Sequence, residues 1–270
     1  MSFLQSIILG IIQGLTEFLP VSSSGHLVLA GHFFGLEERG DIVFEIFLHL
    51  GTALAVIVFY RKTLWELLKS LFIWKKTIDS QVHYHNRMMI IYILVATLAT
   101  IGIYLPFNDI LESLFSEPLI VAIMLSVTGV IVFSSDLIKD RAIPARSMGL
   151  MRSVFIGIGQ GIAIIPGISR SGTTISFSLM TGIKRQDAAM FSFLLSLPAI
   201  LGANIIEFKA LAMLEKAMLM KYVSGFLCSF LVGYAVIAIL IDLIRRSKLK
   251  YFAFYCWFVS IITVSYLYFS

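Results

Sequence analysis

Charged side chains are scarce in this chain. Only 14% of its 270 residues are Asp, Glu, Lys or Arg, whereas 59% are hydrophobic. That composition is too apolar for a soluble domain of this length and is typical of a membrane protein. The two cysteines, Cys228 and Cys256, both lie in apolar runs, so we expect packing residues and not a disulfide. The net charge of +5 does not indicate nucleic-acid binding, because the basic residues lie between apolar runs.

Basic residues are missing from the N-terminal stretch, where the first Lys or Arg is Arg39. A secretory signal peptide begins with a basic region, and this apolar stretch instead contains Gln13 and Glu17. We therefore expect a retained membrane segment and not a cleaved signal.

Six stretches are long enough to cross a bilayer, which takes about twenty apolar residues. The predicted spans are 41–61, 88–106, 118–138, 187–207, 222–243 and 251–269. The connection 62–87 is the only sizeable loop, and we expect it to contain an interfacial helix with Trp65 and Trp74.

One phrase occurs twice, 147 residues apart. The shift superposes Gly10, Ile11, Gln13, Gly14, Ser22, Ser24, Gly25 and Gly35 on identical residues. The two copies, 2–36 and 150–183, each consist of two short apolar stretches interrupted by a Pro/Ser/Gly cluster. Neither half can cross a bilayer alone. Each copy therefore predicts a re-entrant helical hairpin, since broken backbone is tolerated at membrane depth only inside protein or along a cavity.

The distribution of Lys and Arg predicts the orientation. If each hairpin enters and leaves on one side, sixteen cations share one face and four lie on the other, which places both termini outside. Three spans separate the hairpins, so the predicted fold is all-α integral membrane: six transmembrane helices and two re-entrant hairpins in an inverted-topology repeat. The prediction is a single membrane domain, 1–270, with one repeat in 1–138 and the other in 150–270. Such folds place their site where the two breaks meet.

The first break gathers polar groups. Gln13 and Glu17 are four residues apart and share a helix face, Pro20 is expected to end that helix, and Ser22, Ser23, Ser24, Gly25 and His26 begin the next one. A helix N-terminus with serine caps binds anions. The second break repeats this pattern with Ser169, Ser171, Gly172, Thr173 and Thr174, and adds Arg170, whose planar guanidinium suits phosphate.

A carboxylate beside an anion site repels the anion, so its presence there indicates a chemical role. It can act as a general base or as a ligand to a cation that bridges to phosphate. Both roles indicate phosphoryl chemistry on a lipid-linked substrate. Simpler readings exist: the repeated glycines can be helix-packing residues, Ser22 and Ser24 can be caps, and Glu17 with Arg170 can be a structural ion pair. Glu45 and His49, four residues apart in the first span, are candidates for lining the same cavity.

The segments Gln13 to His26 and Pro166 to Thr174 closely resemble the two signatures of the undecaprenyl-diphosphatase (bacitracin-resistance) family, and the likeness extends over the whole chain. The resemblance implies a multi-pass enzyme of the bacterial plasma membrane that hydrolyses undecaprenyl diphosphate to the monophosphate for peptidoglycan synthesis. It also implies a site that opens outward and a divalent cation, Mg²⁺ or Ca²⁺. A homodimer is one of the assemblies left open, and no nucleic-acid partner is expected.

By this resemblance the catalytic residues are Glu17, Ser23, His26 and Arg170, and Glu17 is also the candidate metal ligand. The phosphate-binding candidates are Gln13, Ser22, Ser24, Gly25, Ser169, Ser171, Gly172, Thr173 and Thr174. Several relatives have Glu where this chain has Gln13, which weakens a two-carboxylate metal site.

The nucleophile remains open among Ser23, a water near it and His26, which could also protonate the leaving oxygen; Ser23 is slightly favoured. A lipid-phosphate transporter is the alternative function, because inverted repeats with broken helices are a transporter layout.

Overall fold

The chain is helical over most of its length in the computed structural model, which describes residues 1–35, 42–73, 80–115, 117–138, 143–206, 216–246 and 248–269. The helices are α1 (Phe3–Thr16), α2 (Ser23–Phe33), α3 (Ile42–Phe59), α4 (Arg61–Phe72), α5 (Ser80–Leu114), α6 (Pro118–Asp136), α7 (Leu150–Ile162), α8 (Arg170–Met180), α9 (Arg185–Ile206), α10 (Lys216–Arg245) and α11 (Lys250–Phe269), with a 3₁₀ turn at Ala145–Ser147. The predicted all-α class is confirmed.

The repeated phrase folds as two matching helix pairs. Helices α7 and α8 begin 147 residues after α1 and α2, and the helices of each pair pack on one another. Both α2 and α8 end before a glycine with positive φ, Gly35 at 63° and Gly182 at 90°. This left-handed conformation closes a helix at little cost only for glycine. The sequence repeat is therefore a repeat of helix starts and stops.

Within the part of the chain that the structure describes, five helices are long and apolar enough to cross a membrane, namely α5, α6, α9, α10 and α11. A sixth span is obtained if α3 and α4, which meet at a 77° bend, count as one. Helix α4 starts where the interfacial helix was predicted, and Trp65 on it is 59% exposed. Trp74 lies outside the described residues.

Three of the predicted helix boundaries are wrong. Helix α5 runs from Ser80 to Leu114, so residues 80–87 belong to a helix and not to the connection. It also continues through Pro106, where the predicted span 88–106 ends. Proline removes one backbone hydrogen bond, yet membrane helices tolerate it when neighbouring groups satisfy the freed carbonyl. The first broken helix ends at Thr16, ahead of Pro20, with Glu17 as its C-terminal cap.

Small residues allow the short helices to approach long ones closely. Helix α1 packs along α10 and helix α7 along α5, in equivalent positions of the two repeats. A Cβ on Gly14 would lie 2.8 Å from Cβ of Val232 and 2.9 Å from the Gly233 nitrogen, and one on Gly161 would lie 2.6 Å from Cβ of Ile103. The packing interpretation of the repeated glycines is confirmed, as expected for helix contacts in lipid.

Charged residues at or near the ends of several helices pair with one another at one end of the molecule. Asp136 at the end of α6 pairs with Arg185 at the start of α9 at 3.1 Å and accepts the Lys250 amide of α11 at 3.2 Å. Arg146 of the 3₁₀ turn lies 3.6 Å from Glu66 of α4. The connections that the charge pattern assigns to one face are thus joined at one end.

Gly14→Ala and Gly161→Ala should each lower the melting temperature of the purified protein in detergent. Overpacking a tight contact costs about 1–3 kcal/mol. Gly102→Ala is the matched control, since a Cβ there meets nothing within 4 Å and alanine favours the helix. Equal melting temperatures of all three variants would show that close helix contacts do not require glycine at positions 14 and 161.

Candidate active site

The two breaks touch each other in the centre of the fold. Ser171 Oγ donates to the Leu19 carbonyl at 2.9 Å, which joins the start of α8 to the turn after α1. Gly25 and Gly167 face each other so closely that a Cβ on Gly25 would lie 3.1 Å from Cα of Gly167. The N-termini of α2 and α8 are therefore brought to one place, as the repeat predicts.

Glu17 is the centre of the contacts between the breaks. Its side chain is only 4% exposed, and its Oε1 forms an ion pair with Arg170. Its Oε2 accepts a hydrogen bond from Gln13 Nε2 at 2.9 Å and one from Ser23 Oγ at 2.6 Å. A buried carboxylate is stable only when its charge is compensated and its lone pairs are occupied, and both conditions hold here.

Arg170 is the first residue of α8 and reaches across to the other repeat. Besides Glu17, its guanidinium donates to the Ser192 carbonyl of α9 at 3.3 Å. The Ser192 hydroxyl in turn lies 2.6 Å from Thr174 Oγ1. Because the Arg170 side chain remains 19% exposed, part of its fork can face a bound anion.

The serines flanking each break cap the helix that follows. Ser22 Oγ accepts from the Gly25 amide at 3.2 Å, and Ser169 Oγ accepts from the Gly172 amide at 3.0 Å. The capping interpretation of Ser22 is therefore confirmed. The hydroxyl oxygen of Ser24 lies 3.3 Å from that of Ser22.

Two further observations concern the polar groups of the second break. Ser171 lies 3.2 Å from Ser169, with the two hydroxyl oxygens facing each other. Thr173 is 1% exposed, and its hydroxyl has no hydrogen-bond partner within the part of the chain described. An unsatisfied buried hydroxyl at a predicted phosphate site is available to a ligand oxygen.

The hydrogen bonds of His26 go to partners outside this carboxylate cluster. Its Nδ1 lies 2.8 Å from the Ser22 carbonyl and its Nε2 lies 2.9 Å from the hydroxyl of Tyr255 on α11. A carbonyl can only accept, so the proton is on Nδ1 and Nε2 accepts from the tyrosine. Among the described contacts none joins His26 to Glu17 or Arg170.

His49 belongs to the carboxylate cluster. Its Nε2 lies 3.4 Å from Glu17 Oε2, and its Nδ1 donates to the Glu45 carbonyl one turn earlier in α3. The prediction that His49 lines the same cavity is thereby supported by geometry. Glu45 is half-buried one turn before it.

The donors around Glu17 do not suit a divalent cation. Gln13, Ser23 and Arg170 already donate to its two oxygens, and the charge of Arg170 would repel a cation there. Within the described residues, no group of three His, Cys, Asp or Glu side chains is placed to hold a metal ion. The predicted cation stays a prediction, and no chemical step is derived through it.

Three partners of the site were missed from the sequence. Ser192 could have been found, because it lies 147 residues after Glu45 and so occupies the same place in the second repeat. Thr128 of α6, which accepts from the Ser169 amide at 2.9 Å and donates to the Gly167 carbonyl at 2.8 Å, has no sequence signal. Tyr255 has none either, because its contact with His26 joins residues 229 positions apart.

The fold and the site define a polytopic helical membrane protein with a buried carboxylate–guanidinium pair where two broken helices meet. Comparison with known families is consistent with this class: the model of Bacitracin resistance protein BacA matches residues 6–262. The chain belongs to that family.

Curated relatives match it over nearly their full length. The undecaprenyl-diphosphatase of Halothermothrix orenii is 40% identical over 98% of both chains. That of Methanobrevibacter smithii is 38% identical over 97% of this chain and 96% of its own. The relative of the same name from Methanococcus vannielii is 36% identical over 98% of this chain and all of its own.

Removing one partner of the Glu17–Arg170 pair should destabilise the fold more than removing both. A lone buried charge costs about 3–5 kcal/mol, and that penalty disappears when its partner is also gone. The measurement is thermal unfolding in detergent of Glu17→Ala, Arg170→Ala and the double variant. Strictly additive losses would mean that the two side chains do not interact.

Proposed function

We propose that this chain is an integral membrane phosphatase that hydrolyses undecaprenyl diphosphate to undecaprenyl phosphate and inorganic phosphate. The observation that carries the proposal is the meeting of Glu17, Arg170 and Ser23 at two apposed helix N-termini. The relatives' shared name, undecaprenyl-diphosphatase, gives the substrate. The product would return to peptidoglycan synthesis as the lipid carrier.

Arg170 and the two N-termini supply the positive potential that a diphosphate needs. Phosphoryl transfer depends mainly on positioning and on neutralising charge on the transferred group. The partly exposed guanidinium is fixed by the Ser192 carbonyl and Glu17, so it is oriented before the substrate arrives. The phosphate-binding roles of the flanking serines, Gly25, Gly172, Thr173 and Thr174 stay predictions of this scheme.

Ser23 is the nucleophile that the geometry favours, because its hydroxyl donates to Glu17 at 2.6 Å. In this scheme the Ser23 oxygen bonds to the terminal phosphorus while Glu17 takes the hydroxyl proton. The bond from phosphorus to the bridging oxygen breaks, and the lipid monophosphate leaves. Water then hydrolyses the phosphoserine. A water activated by the same carboxylate is the alternative.

The proposed topology is six spans with two re-entrant hairpins in an inverted repeat, both termini outside and the site opening outward in the plasma membrane. Two observations support it. The helix pairs α1/α2 and α7/α8 pack on equivalent helices, and the basic connections gather at one end. The N-terminal backbone, whose Met1 carbonyl accepts from Lys221 of α10, lies at the other end. The homodimer stays a prediction.

The transporter alternative has the same layout but a different chemical requirement. Moving a lipid phosphate does not need a hydroxyl that is hydrogen-bonded to a buried carboxylate, which is the arrangement of Ser23 and Glu17. The relatives' printed names are those of a hydrolase. Phosphate release in detergent, where no gradient exists, separates the two functions.

Glu17→Ala and Arg170→Ala should each reduce phosphate release by about a thousandfold or more, the range found for arginines that stabilise phosphoryl transfer. The assay uses purified protein in detergent, well below the melting temperature of each variant. Asp136→Ala is the matched control, since it breaks a second buried ion pair, with Arg185, whose side chains are 6% and 8% exposed. It should lower stability but keep the specific activity of the folded protein.

The activities of these variants and of Ser23→Ala decide whether each residue has a catalytic or a structural role. Full activity in either Glu17→Ala or Arg170→Ala would end the phosphatase scheme. Near-normal turnover in Ser23→Ala would remove that serine as nucleophile and leave the activated water.

The wild-type protein should prefer a long-chain diphosphate. A headgroup site buried between helices is reached most readily by a lipid whose tail stays in the bilayer. Turnover of C55, C15 and water-soluble diphosphates, with Glu17→Ala as the blank, measures this preference. Equal rates on all three would indicate a generic phosphatase.

A further inference from the structure

We propose that Tyr255 is a positioning residue for this site, because its hydroxyl holds the His26 ring in one tautomer and one orientation. The inference rests on the proposed phosphatase function. It adds to the site a residue from the last helix, α11.

Three contacts hold the His26 ring, two of them from Tyr255. Tyr255 Oη donates to His26 Nε2 at 2.9 Å, while His26 Nδ1 donates to the Ser22 carbonyl at 2.8 Å. The rings are also stacked, with centroids 5.6 Å apart and planes 7° from parallel. A ring held at both nitrogens and on one face cannot rotate freely, and its tautomer is set by the two partners.

Helix α11 is itself held firmly where it presents Tyr255. Trp257 Nε1 donates to the Ser126 carbonyl of α6 at 3.1 Å, and Ser126 Oγ donates to Ser260 at 2.8 Å. The Cys256 thiol lies 3.7 Å from the Pro20 carbonyl, in the turn of the first break. The tyrosine is thus placed by contacts of its helix with α6 and with the first break.

The hydrogen bond also assigns a chemical state to His26. With its proton on Nδ1 and its Nε2 lone pair covered by a hydroxyl, the ring offers no free nucleophilic nitrogen to a phosphate. His26 lies one helical turn from Ser23, so the two side chains share a stretch of the α2 surface. Tyr255 therefore keeps the His26 ring in a fixed orientation beside Ser23. It also prevents phosphorylation of His26.

The decisive variant is Tyr255→Phe, which keeps the stacked ring and removes only the hydroxyl. We expect kcat to fall roughly tenfold to a hundredfold, as for residues that orient a functional histidine, with KM changed less than about twofold. Tyr266→Phe is the matched control. It lies on the same helix, and its ring packs on Phe33 of α2 at 5.2 Å, away from His26.

Two readouts separate positioning from a general structural effect. In protein labelled with ¹⁵N-histidine, the His26 resonances, assigned by their loss in His26→Ala, should show the Nδ1-protonated tautomer in wild type and lose that fixed state in Tyr255→Phe. In a double-mutant cycle, Tyr255→Phe should cause no further loss of kcat once His26 is alanine.

Wild-type kcat in Tyr255→Phe, an unchanged His26 tautomer, or an equal loss of kcat in the His26→Ala background would each overturn the proposal. Failure of the phosphatase scheme gives a different result. In that case Glu17→Ala and Arg170→Ala keep their activity, while the ¹⁵N spectrum still reports whether Tyr255 holds the ring.

Discussion

The charge pair between Glu17 and Arg170 is the interaction on which the rest of the structure depends. A carboxylate and a guanidinium inside an apolar protein are each costly, and each makes the other tolerable only if the chain brings them together. Glu17 follows α1 and Arg170 begins α8, so the pair joins the two repeats. The hydroxyl of Ser171 on the Leu19 carbonyl and the close glycines at Gly25 and Gly167 maintain the same junction.

The repeat is symmetric in backbone and asymmetric in chemistry. The shift of 147 residues places Ile164 opposite Glu17, Arg170 opposite Ser23 and Thr173 opposite His26. Gln13 keeps its identity, as Gln160, but that copy donates to Thr100 at 3.1 Å and not to an acid. Each repeat thus contributes what the other lacks: the first supplies the acid and the hydroxyl, the second the cation.

Much of this arrangement was predictable because it is written in local patterns. Four-residue spacing put Gln13 and Glu17 on one helix face, where they do form a hydrogen bond. Serine caps and the glycines at 35 and 182 defined both broken helices, and the repeat implied that Glu17 and Arg170 would meet. The contacts of Thr128 and Tyr255 were not predictable, since they depend on how distant helices pack. The continuation of α5 through Pro106 was missed for a related reason, because surrounding helices and not local propensity decide whether a proline ends a membrane helix.

The glycine contact between the two breaks has a mechanical consequence. With backbone against backbone at Gly25 and Gly167, and Gly172 against Pro20, little free volume is left through which one tip could slide past the other. A headgroup that entered by separating the two breaks would also have to break the Glu17–Arg170 ion pair. Because these contacts are so close, we expect the two breaks to keep their positions while a lipid substrate brings its phosphates to the side chains.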